Sequence, residues 1–390
     1  MSCARYAKIG ERVSFLRMRD AKKAAPTLSR RRTLALLGGM LVTPKILAQT
    51  TRHQPPAPTF APVVPGYSLR FPRDEGSHPD FRTEWWYVTG WLDSAHGSVG
   101  FQITFFRFRP QLKSDNPSAF TPRHILVAHA AISDPAQGGL QRDQRVAREG
   151  FTLAGAGQDR IDVWVDDWSL KQENSAYRAR IPARDFSFDF TFSATQPPLL
   201  QGNGGLSRKG PRPESASYYY SLPQLKVHGT LTRSGKAEPA VGTAWLDHEW
   251  SSSYMDERAV GWDWLGINLA DGGALMAFRM RDQQGGKFWA GGSYRAADGR
   301  TRNFDPRELD FVPLRRWRSS RSEAVYPVAW RITAGTLKID VTPLMDDQEN
   351  DTRASTGTIY WEGAVRALQD GKEVGRGYLE LTGYWRRLRL

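Results

Sequence analysis

Cysteine is almost missing from this chain: of its 390 residues a single one is cysteine, Cys3, close to the start. That excludes a disulfide framework, thiol catalysis and thiolate metal sites from everything downstream. Long apolar runs are missing as well. The apolar stretch from Thr33 to Thr43 falls short of the roughly 20 residues a spanning helix needs, and Pro44–Lys45 interrupt it. The seven histidines all lie beyond residue 48 and lack the close spacing of a ligand set. His248–Glu249–Trp250–Ser251–Ser252 opens like a zinc-protease helix motif but has Ser where the second His would stand. There is no G-x-S-x-G elbow and no phosphate-cradling glycine loop. Nothing visible calls for a metal or a cofactor, and serine hydrolysis has little support.

Positive charge is plentiful, but it is gathered at one end. Residues 1–48 hold eleven Lys/Arg and two acids, so that of the formal +13 only about +4 belongs to the rest. A body that close to neutral, with both signs interleaved, offers no phosphate-tracking patch and excludes nucleic acid as a natural partner. Within the basic segment, Arg30, Arg31 and Arg32 run into Leu34, Leu36 and Leu37, and Ala48 offers a cleavage point. This reads as an export leader of the twin-arginine type. It predicts a partner in the twin-arginine export machinery and a periplasmic or secreted protein.

Residues 49–66 contain five prolines and no periodicity, and are expected to form an extended tether. Beyond them no helical period of useful length appears, whereas period two recurs. Phe186, Phe188, Phe190 and Phe192 alternate with Ser187, Asp189 and Thr191, the pattern of a strand with one buried face. Ile161–Val163–Val165, Ala274–Met276–Phe278–Met280 and Leu337–Ile339–Val341 repeat it, and Gly- and Asp-rich turns punctuate the runs. The expected class is all-β and antiparallel, in an N-terminal domain at 67–245 and a C-terminal domain at 246–390.

Aromatic residues are dense and clustered: Trp85–Trp86–Tyr87, Tyr218–Tyr219–Tyr220, Trp245, Trp250, Trp262, Trp264 and Trp361. Consecutive rings cannot share one face of a strand, so both faces need cover. That cover is a thick core with a domain contact, or a ring-lined cavity for an apolar or conjugated ligand. Carboxylates sit among these rings: Glu84, Asp247, Glu249, Asp263, Glu362 and Glu380. Beside buried rings each must be paired, hydrogen-bonded or protonated, with Arg107, Arg109 and Arg279 as candidate partners. His248, Asp263, Glu249 and Asp247 are the candidate proton-transfer groups. Histidine works near neutral pH unaided, and a carboxylic acid does so when apolar surroundings raise its pKa. Glu84, Trp86, Tyr219, Trp250, Trp264, Arg107 and Arg279 are the candidate ligand-binding residues.

The blocks Thr83–Gly90, Ser217–Ser221, Ala244–Trp250, Gly261–Trp264, Tyr360–Gly363 and Gly377–Tyr384, taken in order, resemble the AttH-like "predicted secreted hydrolase" family, which is related to carotenoid 1,2-hydratase (hydroxyneurosporene synthase). The resemblance covers the chain from Tyr67 to Tyr384. It implies two lipocalin-like antiparallel β-barrel domains packed against each other. It also implies a His and a Trp two residues apart at His248 and Trp250, and an Asp at Asp263; Gly261 stands where those relatives pair that Asp with Tyr. More distant relatives resemble pericyclases that fold a polyene in a cavity between two such domains. Two classes of function follow. One is an enzyme for an apolar, unsaturated or isoprenoid-like small molecule, performing acid-assisted hydration or hydrolysis. Here Asp263 or His248 is the acid, Glu249 or Asp247 orients it, and Trp250 and Trp264 supply ring faces. The other is a non-catalytic periplasmic carrier of lipid or isoprenoid, with transient membrane contact. An enzyme would place His248 or Asp263 on the cavity wall; a carrier would use both as struts outside it.

Overall fold

Alternating side chains make the strands, and the computed structural model shows where each face goes. It describes residues 59–388, apart from 95–96, 112–117 and 119. The expected leader at 1–48 lies outside the described residues. Of the expected tether only 59–66 is described, and it is held to the body there: Val64 exchanges hydrogen bonds with the Tyr218 hydroxyl at 3.0 and 2.9 Å. All described residues belong to one compact unit, Gln54–Leu390.

Among the described residues two antiparallel sheets account for nearly all regular structure. The first has thirteen strands. In hydrogen-bonded order its main path is Gln141–Arg148, Ile125–Ser133, Gly97–Phe108, Thr83–Ser94, Lys236–Ser253, Ala216–Arg233, Phe186–Ser193, Ala176–Pro182, Trp168–Glu173, Asp162–Val165 and Ala154–Ala156. The two ends of this path curl toward each other, with the Ile125–Ser133 and Gln141–Arg148 strands close to Asp162–Val165. The result is a nearly closed barrel. The phenylalanine stripe, with Phe101, Trp86 and Trp250, fills its interior.

The second sheet has ten strands and is open, which corrects the expectation of a second barrel. Its path runs Thr301–Phe304, Lys287–Arg295, Ala274–Arg281, Gly261–Leu269, Lys372–Leu381, Ile359–Gln369, Leu337–Pro343, Val325–Ala334 and Leu309–Arg318. The last strand is unsuited to accept a further neighbour. Pro313 lacks an N–H, the register shifts on both sides of Arg315, and Arg315, Arg316 and Arg318 are exposed. Proline, irregularity and charge are the features that keep a sheet edge unpaired.

The chain changes sheets between Ser253 and Gly261, past the expected seam at 245/246, because the alternation of the Lys236–Ser253 strand continues without a break. Three apolar cores result: one inside the barrel, one on the far face of the second sheet, and one between the sheets. The last is made by Tyr87, Trp91, Tyr219, Trp245 and Trp264 with Met276, Phe278 and Tyr378. Directional bonds lock it. Trp91 Nε1 donates to Gly377 O at 2.9 Å, Asn268 to Ala244 O at 3.0 Å, and Trp264 Nε1 to the Tyr219 hydroxyl at 3.1 Å.

Candidate active site between the two sheets

Because successive strand residues point to opposite faces, the Asp247–His248–Glu249 run is split. His248 points into the barrel with Leu246 and Trp250, while Asp247, Glu249 and Trp245 face the second sheet. The neighbouring strands follow suit. Glu84 and Trp86 lie opposite Trp250 and His248 on the inner face, and Trp85 and Tyr87 lie opposite Glu249 and Asp247 on the outer one. The candidate residues therefore fall into three separate groups.

The first group is inside the barrel. Glu84, fully buried, accepts from Arg107 Nε at 2.8 Å, from the Ser77 hydroxyl at 3.0 Å and from the His78 backbone N–H. Its Oε1 also meets His78 Nδ1 at 2.8 Å and His248 Nε2 at 3.0 Å. His78 stacks on Trp250 at 3.7 Å, and His248 on Trp86 at 4.8 Å. Burial opposes ionisation of Glu84, but Arg107 and the two histidines hold its pKa well below the ordinary carboxylate range. Burial lowers that of His248. His78, Glu84 and His248 bring ligand atoms within 4.8 Å of one another. Both imidazoles already share Glu84 Oε1, however, and Arg107 neutralises that carboxylate, so the trio fits a hydrogen-bonded relay better than a cation site. His78 escaped the sequence reading because only the fold brings it to His248.

The second group is on the far face of the second sheet. Asp263, also fully buried, is held by Arg279 Nε at 2.6 Å, Arg281 Nε at 3.1 Å and the Tyr384 hydroxyl at 2.9 Å. Its neighbours Trp262 and Trp264 point the other way, toward the barrel. Asp263 and Arg279 thus form an ion pair away from the cleft.

The third group surrounds a chamber of about 70 Å³ between the sheets, where Asp247, Glu249, Glu362 and Glu380 converge with Tyr87, Tyr219, Trp262 and Trp264. Asp247 accepts from the Tyr219 hydroxyl at 2.7 Å, the Ser221 hydroxyl at 2.5 Å and Trp245 Nε1 at 2.7 Å. Burial nonetheless pushes its pKa up to about 7. Glu249 is ion-paired at 2.8 Å with Lys209, itself buried against the rings of Tyr219 and Phe278. Burial raises the Glu249 carboxyl and lowers the Lys209 amine.

Glu362 and Glu380 are cross-strand partners, set opposite each other in the register. Burial and the neighbouring Glu380 raise Glu362 well above the carboxylate range; burial takes Glu380 to about 7. Trp262 Nε1 donates to Glu380 at 2.8 Å, whereas the buried Glu362 carboxyl faces the Tyr87 and Tyr360 hydroxyls and Asn350. The sequence had marked both glutamates as carboxylates among rings. Only their cross-strand register distinguishes them from the struts.

Phe106, Phe108, Trp262, Tyr360 and Glu380 also line an adjoining apolar pocket of about 410 Å³, walled further by Ile125, Val127 and Val146. An apolar pocket that shares Glu380 with a carboxyl-lined chamber can hold an apolar molecule with one reactive end against an acid group.

The AttH-like family model matches residues 62–384. The chain belongs to the AttH-like family. The crystal structure of a protein assigned to AttH from Nitrosomonas europaea is 53% identical, with a TM-score of 0.79, covering 83% of this chain and 100% of that one. Kievitone hydratase from Nectria haematococca is 17% identical, with a TM-score of 0.62, covering 85% of this chain and 98% of that one. The second likeness is one of fold. No curated protein matches the chain. The AttH-like match takes in the barrel, the open sheet and every carboxyl group of the chamber.

Proposed function

We propose that this AttH-like protein binds an apolar, unsaturated small molecule in the cleft between the sheets and adds water across its double bond with acid assistance. The observation behind this reading is the wall, Glu380 included, that a roughly 410 Å³ apolar pocket shares with a chamber of protonatable carboxyl groups. Glu380 lines both spaces, so its carboxylic acid is placed to give a proton to a ligand carbon. The resulting cation would lie against the rings of Trp262 and Trp85, whose faces stabilise positive charge. Water bonds to that cation, and its surplus proton passes to a chamber carboxylate, restoring the acid form. The Glu362 carboxyl and the Tyr87 hydroxyl, both on the chamber wall, would orient that water. Asp247 and Glu249 would supply the acid–base surroundings, with Tyr219 and Trp264 as walls.

A second reading is a carrier of the same ligand. It is favoured by the placement of His248 and Asp263, each enclosed in a complete hydrogen-bond network away from the chamber. One experiment separates the two. Ligands extracted from the purified protein are identified by mass spectrometry and returned to it in H₂¹⁸O. Hydration yields a product carrying ¹⁸O, and Glu380→Gln abolishes its formation while keeping the ligand bound. Recovery of the ligand unchanged establishes the carrier, and recovery of no apolar ligand overturns both readings.

A further inference from the structure

At the rim of the apolar pocket, four apolar side chains are left in solvent: Phe120 at 70% exposure, Phe151 at 53%, Val146 at 47% and Leu153 at 43%. The two phenylalanine rings stack at 5.3 Å with planes 14° apart. The guanidinium of Arg148 lies over both, 5.2 and 4.3 Å from their centroids, and Arg148 Nη1 donates to Phe120 O at 3.2 Å. The turn presenting Phe151 is strained. Phe151 and Thr152 adopt φ of 56° and 62°, a region that non-glycine residues rarely occupy. Strain of this kind persists where the fold over-determines it, and it clusters at functional positions. Here it sustains an outward-facing aromatic ring that contributes nothing to a core.

We propose that this patch docks on the surface of an anionic lipid bilayer and brings the mouth of the apolar pocket to the membrane; the proposal rests on the reading that the cleft takes an apolar ligand. Three observations select a bilayer over a protein partner. The patch is continuous with the pocket, since Val146 and Ile125 line that pocket while Ile125 pairs with Arg148 and Val146 with Val127. Arginine accompanies the rings: Arg148 lies over both and Arg123, three residues past Phe120, is exposed, while the nearby acids are Glu149, engaged by His124 Nδ1 at 2.6 Å, and the exposed Asp166, whose N–H bonds Leu153 O. Its size is wrong for a stable dimer. Four partly exposed side chains supply a few hundred Å², against the roughly 800 Å² per partner of a standard interface. Aromatic rings beside arginine on a protruding turn suit the headgroup boundary, where ring and cation each find their medium.

The test is co-sedimentation of the protein without the basic segment at 1–48, which would bind anionic vesicles by itself, with vesicles of phosphatidylcholine alone and of equal phosphatidylcholine and phosphatidylglycerol. The wild type should partition to the anionic vesicles, less so in 0.5 M salt. The Phe120→Ser/Phe151→Ser variant should partition at least tenfold less, at an unchanged melting temperature and with unchanged ligand content when loaded from a detergent-solubilised donor. Arg148→Gln, which keeps both rings, should weaken binding to anionic vesicles and leave the neutral ones unaffected, and it serves as the test if the double variant fails to fold. No vesicle binding by the wild type, or equal binding by the variants, overturns the proposal. So does a concentration-dependent dimer, seen by light scattering, that the double variant loses. Vesicle binding is read without reference to turnover, so its failure is distinct from failure of the hydration reading.

Discussion

At the scale of single residues, each buried carboxylate has a role set by what it touches. Asp263 meets two arginines and a tyrosine, and removing one partner of such a buried pair strands the other charges. Asp263→Ala should therefore lower stability by about 3–5 kcal/mol in chemical denaturation. Ligand content per folded molecule should stay as in the wild type. Asp247 couples stability to pH. Burial lifts it from 3.8 to about 7, so the folded state holds its proton more tightly than the unfolded chain. Its contribution to stability is complete below about pH 4 and is lost as pH rises through about 7. The melting temperature should fall between pH 5 and pH 8, and Asp247→Asn should flatten that slope; an identical slope in the variant would contradict the assignment. Asp74, like Glu84, contributes on the acid side. Hydrogen bonds from His78 and the Arg70 N–H outweigh burial and hold it at about 2, so its contribution is lost as pH falls from 3.8 through that value.

At the scale of elements, period-two alternation decides which groups can cooperate. Phe186 to Phe192 all face inward because they occupy every second position of one strand. Phe190→Ala, at a fully buried site, should cost about 3–5 kcal/mol through lost transfer energy and the cavity left behind. The contact between the sheets depends on residues without side chains. A Cβ on Gly100 would lie 2.5 Å from Ala364 Cβ and 2.8 Å from the Tyr378 hydroxyl, both across the interface. Gly100→Ala should therefore loosen the packing of the second sheet on the barrel, read as faster hydrogen exchange in both the Gly97–Phe108 and Ile359–Gln369 strands. Loss of protection confined to one sheet would mean that the two do not lean on each other there.

At the scale of the whole molecule, a nearly closed barrel and an open sheet enclose the cleft by their facing surfaces, and neither alone supplies all four chamber carboxyl groups. Asp247 and Glu249 come from the barrel; Glu362 and Glu380 come from the open sheet. No helix among the described residues is long and apolar enough to cross a membrane. The basic segment at 1–48 leads to a proposal of export by the twin-arginine route. Changing Arg31 and Arg32 together to Lys should hold the precursor in the cytoplasm on cell fractionation. Normal appearance of the protein beyond the inner membrane would refute that route.

The sequence by itself determined the β character, through alternation that allows one buried face per strand, and it determined the family, through aromatic–carboxylate blocks in a fixed order. It also determined that carboxylates would lie among rings and need partners. Which partner each one found was decided by tertiary structure alone. Asp247 and His248 are adjacent in the chain yet enter different cores, because strand neighbours point to opposite faces. His78 reaches His248, and Glu362 lies opposite Glu380, through pairings that no local pattern encodes. Closure was decided at that level as well: the first sheet curls until its ends lie close, while the second stops at a strand whose proline, shifted register and arginines leave its edge unpaired.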